Sequence, residues 1–230
     1  MSAPKVLAFD VFGTVVDWHG SISREAESLI PGIDGDTFAS AWRAGYKPAM
    51  ADVRSGKLGW TKIDDLHRLI LDRILEDFGN DLSEEKRRHL NRAWHRLDAW
   101  PDTVAGMTRL KSRFMLTTLS NGNLGLLANM AKNAGLPWDL LLSAEVFRHY
   151  KPDPETYLGV AEMFDIQPSE VMLVAAHEDD LDAAKACGLQ TAFVERPLEY
   201  GSGKAAAKGD LTRFTYASTD LNDLARQMGV

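Results

Sequence analysis

The sequence has little cysteine, no basic cluster and no long apolar run, and each absence removes a class of protein. A single cysteine, Cys187, cannot form an intramolecular disulfide. The net charge is −7 and no cluster of Lys and Arg offsets it, so nucleic acid is a poor candidate partner. No apolar run reaches membrane-spanning length, and no signal-like apolar core precedes Asp10. We therefore expect a cytoplasmic protein that binds neither nucleic acid nor a membrane.

The composition is that of an ordinary globular protein. Apolar residues make up 45% and charged residues 26% of the 230 residues. This length accommodates one large domain, or one domain with a smaller insert. The segment 201–209, rich in Gly, Ala and Lys, is expected to be a surface loop.

Short runs of β-branched and aromatic residues predict buried strands, with helical patterns between the later ones. The predicted strands are residues 5–9, 114–119, 171–176, 191–194 and 214–217. Helices are predicted over 123–134, ending at Gly135, from Asp153 onward with Pro154 in the first turn, and over 179–187. This alternation predicts an α/β fold, a Rossmann-like doubly wound parallel sheet.

The segment between the first two predicted strands is different, because residues 21–97 show one helical pattern after another. Ser83 and the two glutamates after it predict a capped helix start. One helix is expected to bury a face formed by Ile63, Leu66, Leu69, Ile70 and Leu75.

Such a long insert cannot be a simple crossover, so we predict an inserted helical cap domain at 18–98. The catalytic core would comprise 1–17 and 99–230, with hinges near 16–20 and 99–102. A cap of this kind would exclude water from a site at the carboxyl edge of the sheet.

Chemically capable side chains follow the predicted strands at four points, which meet at one crevice if the sheet is parallel. The four motifs contain Asp10, Ser120 with Asn121, Lys151, and Asp180. They combine a nucleophilic carboxylate, a hydroxyl, an ammonium and a second carboxylate.

The residue two places after Asp10 indicates the leaving group. Enzymes that attack phosphorus with such an Asp usually carry a second Asp there, which protonates the departing alkoxide. Here the residue is Phe12, which has no proton to give. A leaving group that needs no proton is therefore expected, and a halide is the obvious candidate.

Together, in this order, the four motifs resemble those of the haloacid dehalogenase superfamily and, within it, the L-2-haloacid dehalogenases. The resemblance implies that Asp10 is the nucleophile, that Ser120 binds the anionic group of the substrate and that Lys151 steadies charge. Asp180 is our candidate for the base that activates water, oriented by Lys151 and Asn121. Superfamily phosphatases carry a magnesium-binding Asp where Ala176 stands, so neither a metal nor a cofactor is expected.

Further site residues are proposed around these four motifs. The pair Trp42-Arg43 matches a Trp-Arg of these dehalogenases, which implies that Arg43 helps to stabilise the departing halide. Thr14 would hold the nucleophile or the water. An apolar pocket is expected to be lined by Phe12, Trp60 and Tyr157, although core packing explains Trp60 equally well.

The fourth motif departs from the family pattern Ser-Asn-x-Trp-Asp. His177 replaces an amide and Asp179 replaces an aromatic pocket wall. His177 is expected either to donate a hydrogen bond to Asp10 or to the substrate carboxylate, or to be a structural histidine satisfied by the backbone.

The resemblance implies hydrolysis of short 2-haloalkanoic acids, from an L-2-haloacid to a D-2-hydroxy acid, through an ester on Asp10. Haloacetates are a further candidate substrate. It also suggests a homodimer, and the apolar face between Ile63 and Leu75 could serve as its surface or pack internally. The alternatives are a magnesium-dependent phosphatase of the same superfamily and a non-catalytic binding protein on the same fold.

Overall fold

The computed structural model describes residues 3–201 and 209–230. Of the loop predicted at 201–209, residues 202–208 lie outside the described part of the chain. In chain order the described elements are β1 (Val6–Phe9), β2 (Val16–Asp17), α1 (Trp18–Leu29), α2 (Gly35–Ala44), α3 (Tyr46–Arg54), α4 (Ile63–Asp77), α5 (Glu84–Asn91), β3 (Asp98–Ala99), α6 (Thr103–Lys111), β4 (Met115–Thr118), α7 (Leu124–Ala134), α8 (Ala144–Phe147), α9 (Pro154–Met163), β5 (Val171–Ala175), α10 (Glu178–Ala186), β6 (Gln190–Val194), β7 (Tyr216–Ser218) and α11 (Leu221–Gln227). Short 3₁₀ helices lie at Arg92–His95, Pro168–Glu170 and Leu211–Arg213.

Five strands form a parallel sheet in the order β4-β1-β5-β6-β7, which confirms the predicted fold class. Alternate side chains of β1 enter different hydrophobic clusters, with Leu7 and Phe9 in one and Val6 and Ala8 in the other. Both faces of the sheet are therefore covered, as parallel sheets require. Strand β1 lies between β4 and β5, so its carboxyl end is flanked by the carboxyl ends of two parallel strands.

Most of the predicted helix boundaries follow from local chemistry that the structure shows. Gly135 ends α7 in the left-handed region, with φ 66°, and Pro154 occupies the first turn of α9. The Ser83 side chain accepts a hydrogen bond from the N–H of Lys86 at the start of α5. These residues act within one turn of the chain, which is why the sequence alone indicates them.

Helices α1 to α5 lie between β2 and β3, which pair antiparallel. Val16 faces Ala99 and Asp17 faces Asp98 in this ribbon. The chain thus leaves and re-enters the sheet domain at adjacent points. This topology is compatible with a cap at 18–98 and a core formed by the rest, and that division into domains stays a prediction.

The expectation that Leu69 lies on the buried face of α4 is wrong. Ile63, Leu66 and Ile70 are buried, but Leu69 is 54% exposed. One residue turns an α-helix by about 100°, so Leu69 points well away from Ile70. The buried stripe continues through Leu71, Ile74 and Leu75 instead, and it packs within the chain.

Across residues 3–201 and 209–230, no helix combines the length and the apolar character needed to cross a membrane.

Candidate active site

Asp10 lies immediately beyond the carboxyl end of β1 and is 7% exposed. Its N–H donates to the carbonyl of Val174 at the end of β5, at 3.0 Å. The turn that follows depends on Gly13, which has φ 88°. A Cβ at Gly13 would lie only 2.2 Å from Oε1 of Glu199. Glycine is therefore required both by the backbone conformation and by the close approach of Glu199.

Three side chains donate hydrogen bonds to the Asp10 carboxylate. Oδ1 accepts from Lys151 Nζ at 2.9 Å, while Oδ2 accepts from Thr14 Oγ1 at 2.8 Å and pairs with His177 Nδ1 at 3.0 Å. The N–H of Ala176 donates to Thr14 Oγ1 at 2.9 Å, which leaves the hydroxyl hydrogen for Asp10. Burial alone would raise the pKa of Asp10, but Lys151 and His177 outweigh it and hold that pKa far below its usual range. The carboxylate is thus kept ionised.

Lys151 connects the two central carboxylates. It lies between α8 and α9, and Nζ contacts Asp180 Oδ2 at 2.5 Å as well as Asp10. Its backbone N–H donates to Asn121 Oδ1 at 2.8 Å, which fixes the loop that presents the ammonium. Burial opposes the charge, but Asp10 and Asp180 raise the pKa of Lys151, so the ammonium stays protonated.

Asp180 lies in the first turn of α10 and accepts a hydrogen bond from the Tyr157 hydroxyl on Oδ1, at 2.6 Å. Burial and the neighbouring charge of Asp10 raise the pKa of Asp180, more than Lys151 lowers it. This makes Asp180 more basic than an ordinary aspartate. The side chain of Tyr157, predicted to line the pocket, is fully buried and supports Asp180.

His177 forms hydrogen bonds with two carboxylates. Nδ1 faces Asp10, and Nε2 lies 2.8 Å from Oε1 of Glu199. Ionised carboxylates only accept, so each ring nitrogen must carry a hydrogen and His177 is an imidazolium. Burial lowers the pKa of His177, but Asp10 and Glu199 outweigh it and raise that pKa to about 10. Of the alternatives open from the sequence, the structure shows the contact with Asp10.

Glu199 is the residue that sequence reasoning missed. It is 3% exposed and also accepts a hydrogen bond from Trp18 Nε1, at 3.1 Å. It follows β6 outside the four motifs, and no turn or periodicity signal marks it. The one available signal was a carboxylate shortly after the end of a predicted strand.

The second motif lies against the same cluster. Ser120 is 1% exposed and its Oγ accepts from the N–H of Gly122 at 3.1 Å. Besides its bond to Lys151, Asn121 donates from Nδ2 to Met50 Sδ at 3.4 Å. Asn121 thus positions Lys151, and it is Lys151 that contacts Asp180 directly.

Arg43 lies near the end of α2, and its guanidinium covers the rings of Tyr46 at 4.3 Å and Trp18 at 5.5 Å. Its Nη1 is buried and has no hydrogen-bond partner among the described residues. A buried cationic N–H without an acceptor suits an anion.

Two aromatic residues were expected to line the pocket. Phe12 is 4% exposed and packs its edge on Trp94 with ring centres 5.9 Å apart. Trp60 stacks on Tyr150, the residue before Lys151, at 4.9 Å, and its buried Nε1 has no partner among the described residues. The structure thus places Phe12 against Trp94 and Trp60 against Tyr150 in the Lys151 loop.

The residues do not fit a divalent cation. Both oxygens of Asp10 and both of Asp180 already accept hydrogen bonds, and Ala176 has no ligand atom where a phosphatase-like site would need one. Lys151 and His177 would repel a metal ion beside Asp10. Within residues 3–201 and 209–230, no group of three or more His, Cys, Asp or Glu side chains is arranged to hold a metal.

Comparisons with known proteins identify the family. Residues 4–188 match the family model of the haloacid dehalogenase-like hydrolases. The (S)-2-haloacid dehalogenase 1 of Pseudomonas sp. (strain CBS-3) is 30% identical over an alignment of 214 residues, and the match covers 87% of this chain and 89% of that protein. A solved L-2-haloacid dehalogenase is 46% identical with a TM-score of 0.92, over 99% of this chain and 100% of that one. A solved defluorinating L-2-haloacid dehalogenase is 42% identical with a TM-score of 0.92, over 99% and 96% of the two chains.

Proposed function

The chain belongs to the haloacid dehalogenase-like hydrolases, and on that premise we propose that it hydrolyses the carbon–halogen bond of short 2-haloalkanoic acids. The observation that carries the proposal is an ionised, buried Asp10 with no proton donor two residues later, where Phe12 stands. The solved and curated dehalogenases similar to this chain support the same chemistry.

In the first step Asp10 attacks C2 in line with the carbon–halogen bond. An ester bond forms between the carboxylate and C2, and the electron pair of the broken bond leaves with the halide. Arg43, whose buried Nη1 lacks a partner among the described residues, supplies a cationic N–H for the departing halide or the substrate carboxylate. Backside attack inverts C2, so an L-2-haloacid gives a D-2-hydroxy acid.

In the second step water attacks the carboxyl carbon of Asp10, with Asp180 as the base that takes its proton. Asp180 suits this role because burial raises its pKa, an effect that persists when the ester has removed the charge of Asp10, while Lys151 and Tyr157 fix its two oxygens. The ester oxygen leaves with C2 as the hydroxyl of the product. Ser120, buried at the end of β4, is the proposed contact of the substrate carboxylate.

One turnover in oxygen-labelled water tests the ester. With enzyme in excess over 2-chloropropionate, the hydroxyl oxygen of the product should come from Asp10 and carry no label, whereas the label should enter the protein carboxylate. Mass spectrometry of the product and of the Asp10 peptide measures both. Label in the product of this first turnover would contradict the ester and indicate direct attack by water.

Asp10→Asn is the matching variant, because an amide of the same shape is not a nucleophile here. We expect it to fold and to release no halide, and Asp182→Asn on the exposed face of α10 serves as the control.

The magnesium-dependent phosphatase alternative is tested by a chelator: dehalogenation should survive EDTA, while phosphatase turnover should vanish. If the protein releases phosphate, EDTA abolishes that release, and no halide is released, the protein is a metal-dependent phosphatase and our proposal is wrong.

A further inference from the structure

The hydrogen bonds of Asp10 make its two oxygens unequal. Oδ1 accepts from Lys151 alone, whereas Oδ2 is bound by both Thr14 and His177. A carboxylate oxygen has two lone-pair directions, and both are used on Oδ2. Oδ1 therefore keeps a lone pair for the attack on C2, and Oδ2 becomes the carbonyl oxygen of the ester.

We propose that Thr14 and His177 form the oxyanion site for hydrolysis of the Asp10 ester, with Glu199 holding His177 as the imidazolium that this site requires. The proposal rests on the ester chemistry of the proposed function and assigns its second step. His177 is then a catalytic residue, because it touches a reacting oxygen. Glu199 acts through His177 and is a positioning residue.

Ester hydrolysis passes through a tetrahedral intermediate at the carboxyl carbon of Asp10. Water oxygen bonds to the carboxyl carbon of Asp10, one water proton passes to Asp180, and the π electrons of the carbonyl move to Oδ2. When the intermediate collapses, the bond between the carboxyl carbon and Oδ1 breaks, and Asp180 returns the proton to the departing alkoxide. The second water proton remains on the Asp10 carboxyl, which releases it to solvent because its pKa is strongly lowered.

The donors already stand where the oxyanion forms. Thr14 Oγ1 and His177 Nδ1 lie 2.8 and 3.0 Å from Oδ2, within the range that oxyanion donors need. A charged donor is favoured because the buried site also holds Asp180 and Glu199 and must accept an anionic substrate. A neutral N–H at the same position would leave this negative charge less compensated.

The protonation of His177 depends on the charged side chains around its ring. Asp10 and Glu199 contact the ring directly, Lys151 contacts Asp10, and Asp180 contacts Lys151. Asp179, two residues along α10, is exposed and pairs with Lys47 at 3.5 Å. Glu199 is therefore the contact that can be altered without touching the nucleophile.

His177→Gln tests the donor, because Gln can place a neutral N–H near Oδ2. In rapid-quench experiments with 2-chloropropionate, halide release measures the first step, and intact mass of the quenched protein measures the ester. We expect the halide burst to stay within a few-fold of wild type. Ester decay should slow by up to about 10²–10³-fold, the loss that follows complete removal of one oxyanion donor. Ester should therefore accumulate. Decay at the wild-type rate would overturn the proposal.

Glu199→Gln tests the positioning role through the pH dependence of ester decay, which a purely structural residue would not change. Since the imidazolium is required, ester decay should fall at high pH as His177 loses its proton. The ester removes the charge of Asp10, so Glu199 is then the contacting carboxylate that still raises the pKa of His177. Without the Glu199 charge this alkaline limb should move toward neutral pH. Glu178→Gln is the control, because Glu178 is nearby but forms a partly exposed ion pair with Arg213. This variant should leave the alkaline limb of ester decay unchanged.

An unmoved alkaline limb in folded Glu199→Gln would contradict the proposal. This variant keeps the shape of the side chain, so it provides the test even where His177→Gln does not fold. If wild type itself forms no ester, the proposed function fails. If wild type forms and hydrolyses the ester but both variants hydrolyse it normally, only the oxyanion assignment fails.

Discussion

At the scale of single residues, the site is a chain of buried charges that compensate one another. Asp10, Asp180 and Glu199 alternate with Lys151 and His177, and each link is a hydrogen bond of 3.0 Å or less. Burying an unpaired charge is strongly unfavourable, whereas a paired one is tolerated. The pairing therefore keeps the nucleophile ionised although its side chain is buried.

Tyr157→Phe should change the pH dependence of ester hydrolysis. Burial and Asp180 raise the pKa of the Tyr157 hydroxyl, so it stays protonated and donates to Asp180. This bond lowers the pKa of Asp180, so its loss should raise that pKa further above 3.8 and move the acid limb of ester decay to higher pH. The lost hydrogen bond should also reduce the free energy of unfolding by about 1–3 kcal/mol. Quenched-flow rates from pH 3 upward and urea unfolding measure the two effects.

Tyr150→Phe is the matched control. The Tyr150 hydroxyl donates to the carbonyl of Thr61 at 2.6 Å and does not contact Asp180. It should lower stability by a similar amount without moving the acid limb. An equal shift of the limb in both variants, or none in Tyr157→Phe, would show that Tyr157 does not tune Asp180.

The sequence indicates some site residues and not others for a physical reason. Asp10, Lys151 and Asp180 follow strands or a Pro-marked turn, and parallel topology brings such positions to one edge. Their catalytic roles stay predictions. Glu199 lies after β6 without a marker of its own, and only the folded chain brings it to His177.

At the scale of elements, local signals predict helices better than they predict which side of a helix is buried. Gly135 and Ser83 determine helix ends within one turn, and the structure shows both. The face of α4 depends on the helices packed around it, which explains why Leu69 is exposed although it is apolar.

A pair of glycines in and after α7 tests the helix-end argument. Gly135 has φ 66° and open space where a Cβ would stand, so Gly135→Ala should cost about 1 kcal/mol through backbone strain alone. Gly125, in the first turn, is exposed and has no such strain, so Gly125→Ala should stabilise by about 0.5 kcal/mol. Urea unfolding of the two variants measures both. The same sign for both substitutions would contradict the strain argument.

At the scale of the whole molecule, the parallel sheet and the helical insert between its first two strands in the chain follow from the sequence pattern, whereas the order of the strands comes from the structure. Oligomeric state does not, because the apolar face of α4 that could have served as a dimer surface is buried within the chain. The homodimer stays a prediction, and any such dimer must use another surface. Exposed apolar side chains such as Leu69 and Leu198 lie on separate elements.

One buried ion pair joins distant parts of the chain behind the site. Arg196, after β6, forms two parallel hydrogen bonds with Asp102, at 2.7 and 2.9 Å, and its Nε donates to the carbonyl of Thr14 at 2.8 Å. Asp102 also accepts from the N–H of Leu221, at 2.8 Å. The pair therefore holds the turn of the nucleophile, the return from the helical insert and the last helix together.

Asp102→Ala should consequently destabilise the whole protein by about 3–5 kcal/mol, because it leaves Arg196 buried without its partner. Asp182→Ala removes an exposed partner of Arg213 and should cost less than about 1 kcal/mol.

Burial raises the pKa of Asp102, but Arg196 and Leu221 lower it below 3.8 overall. This contribution is therefore present above pH 3.8 and lost as the pH falls through the lower folded-state pKa. Urea unfolding should show that the difference in the free energy of unfolding between wild type and Asp102→Ala becomes smaller below about pH 4. A difference that stays constant with pH would exclude the ion pair as its source.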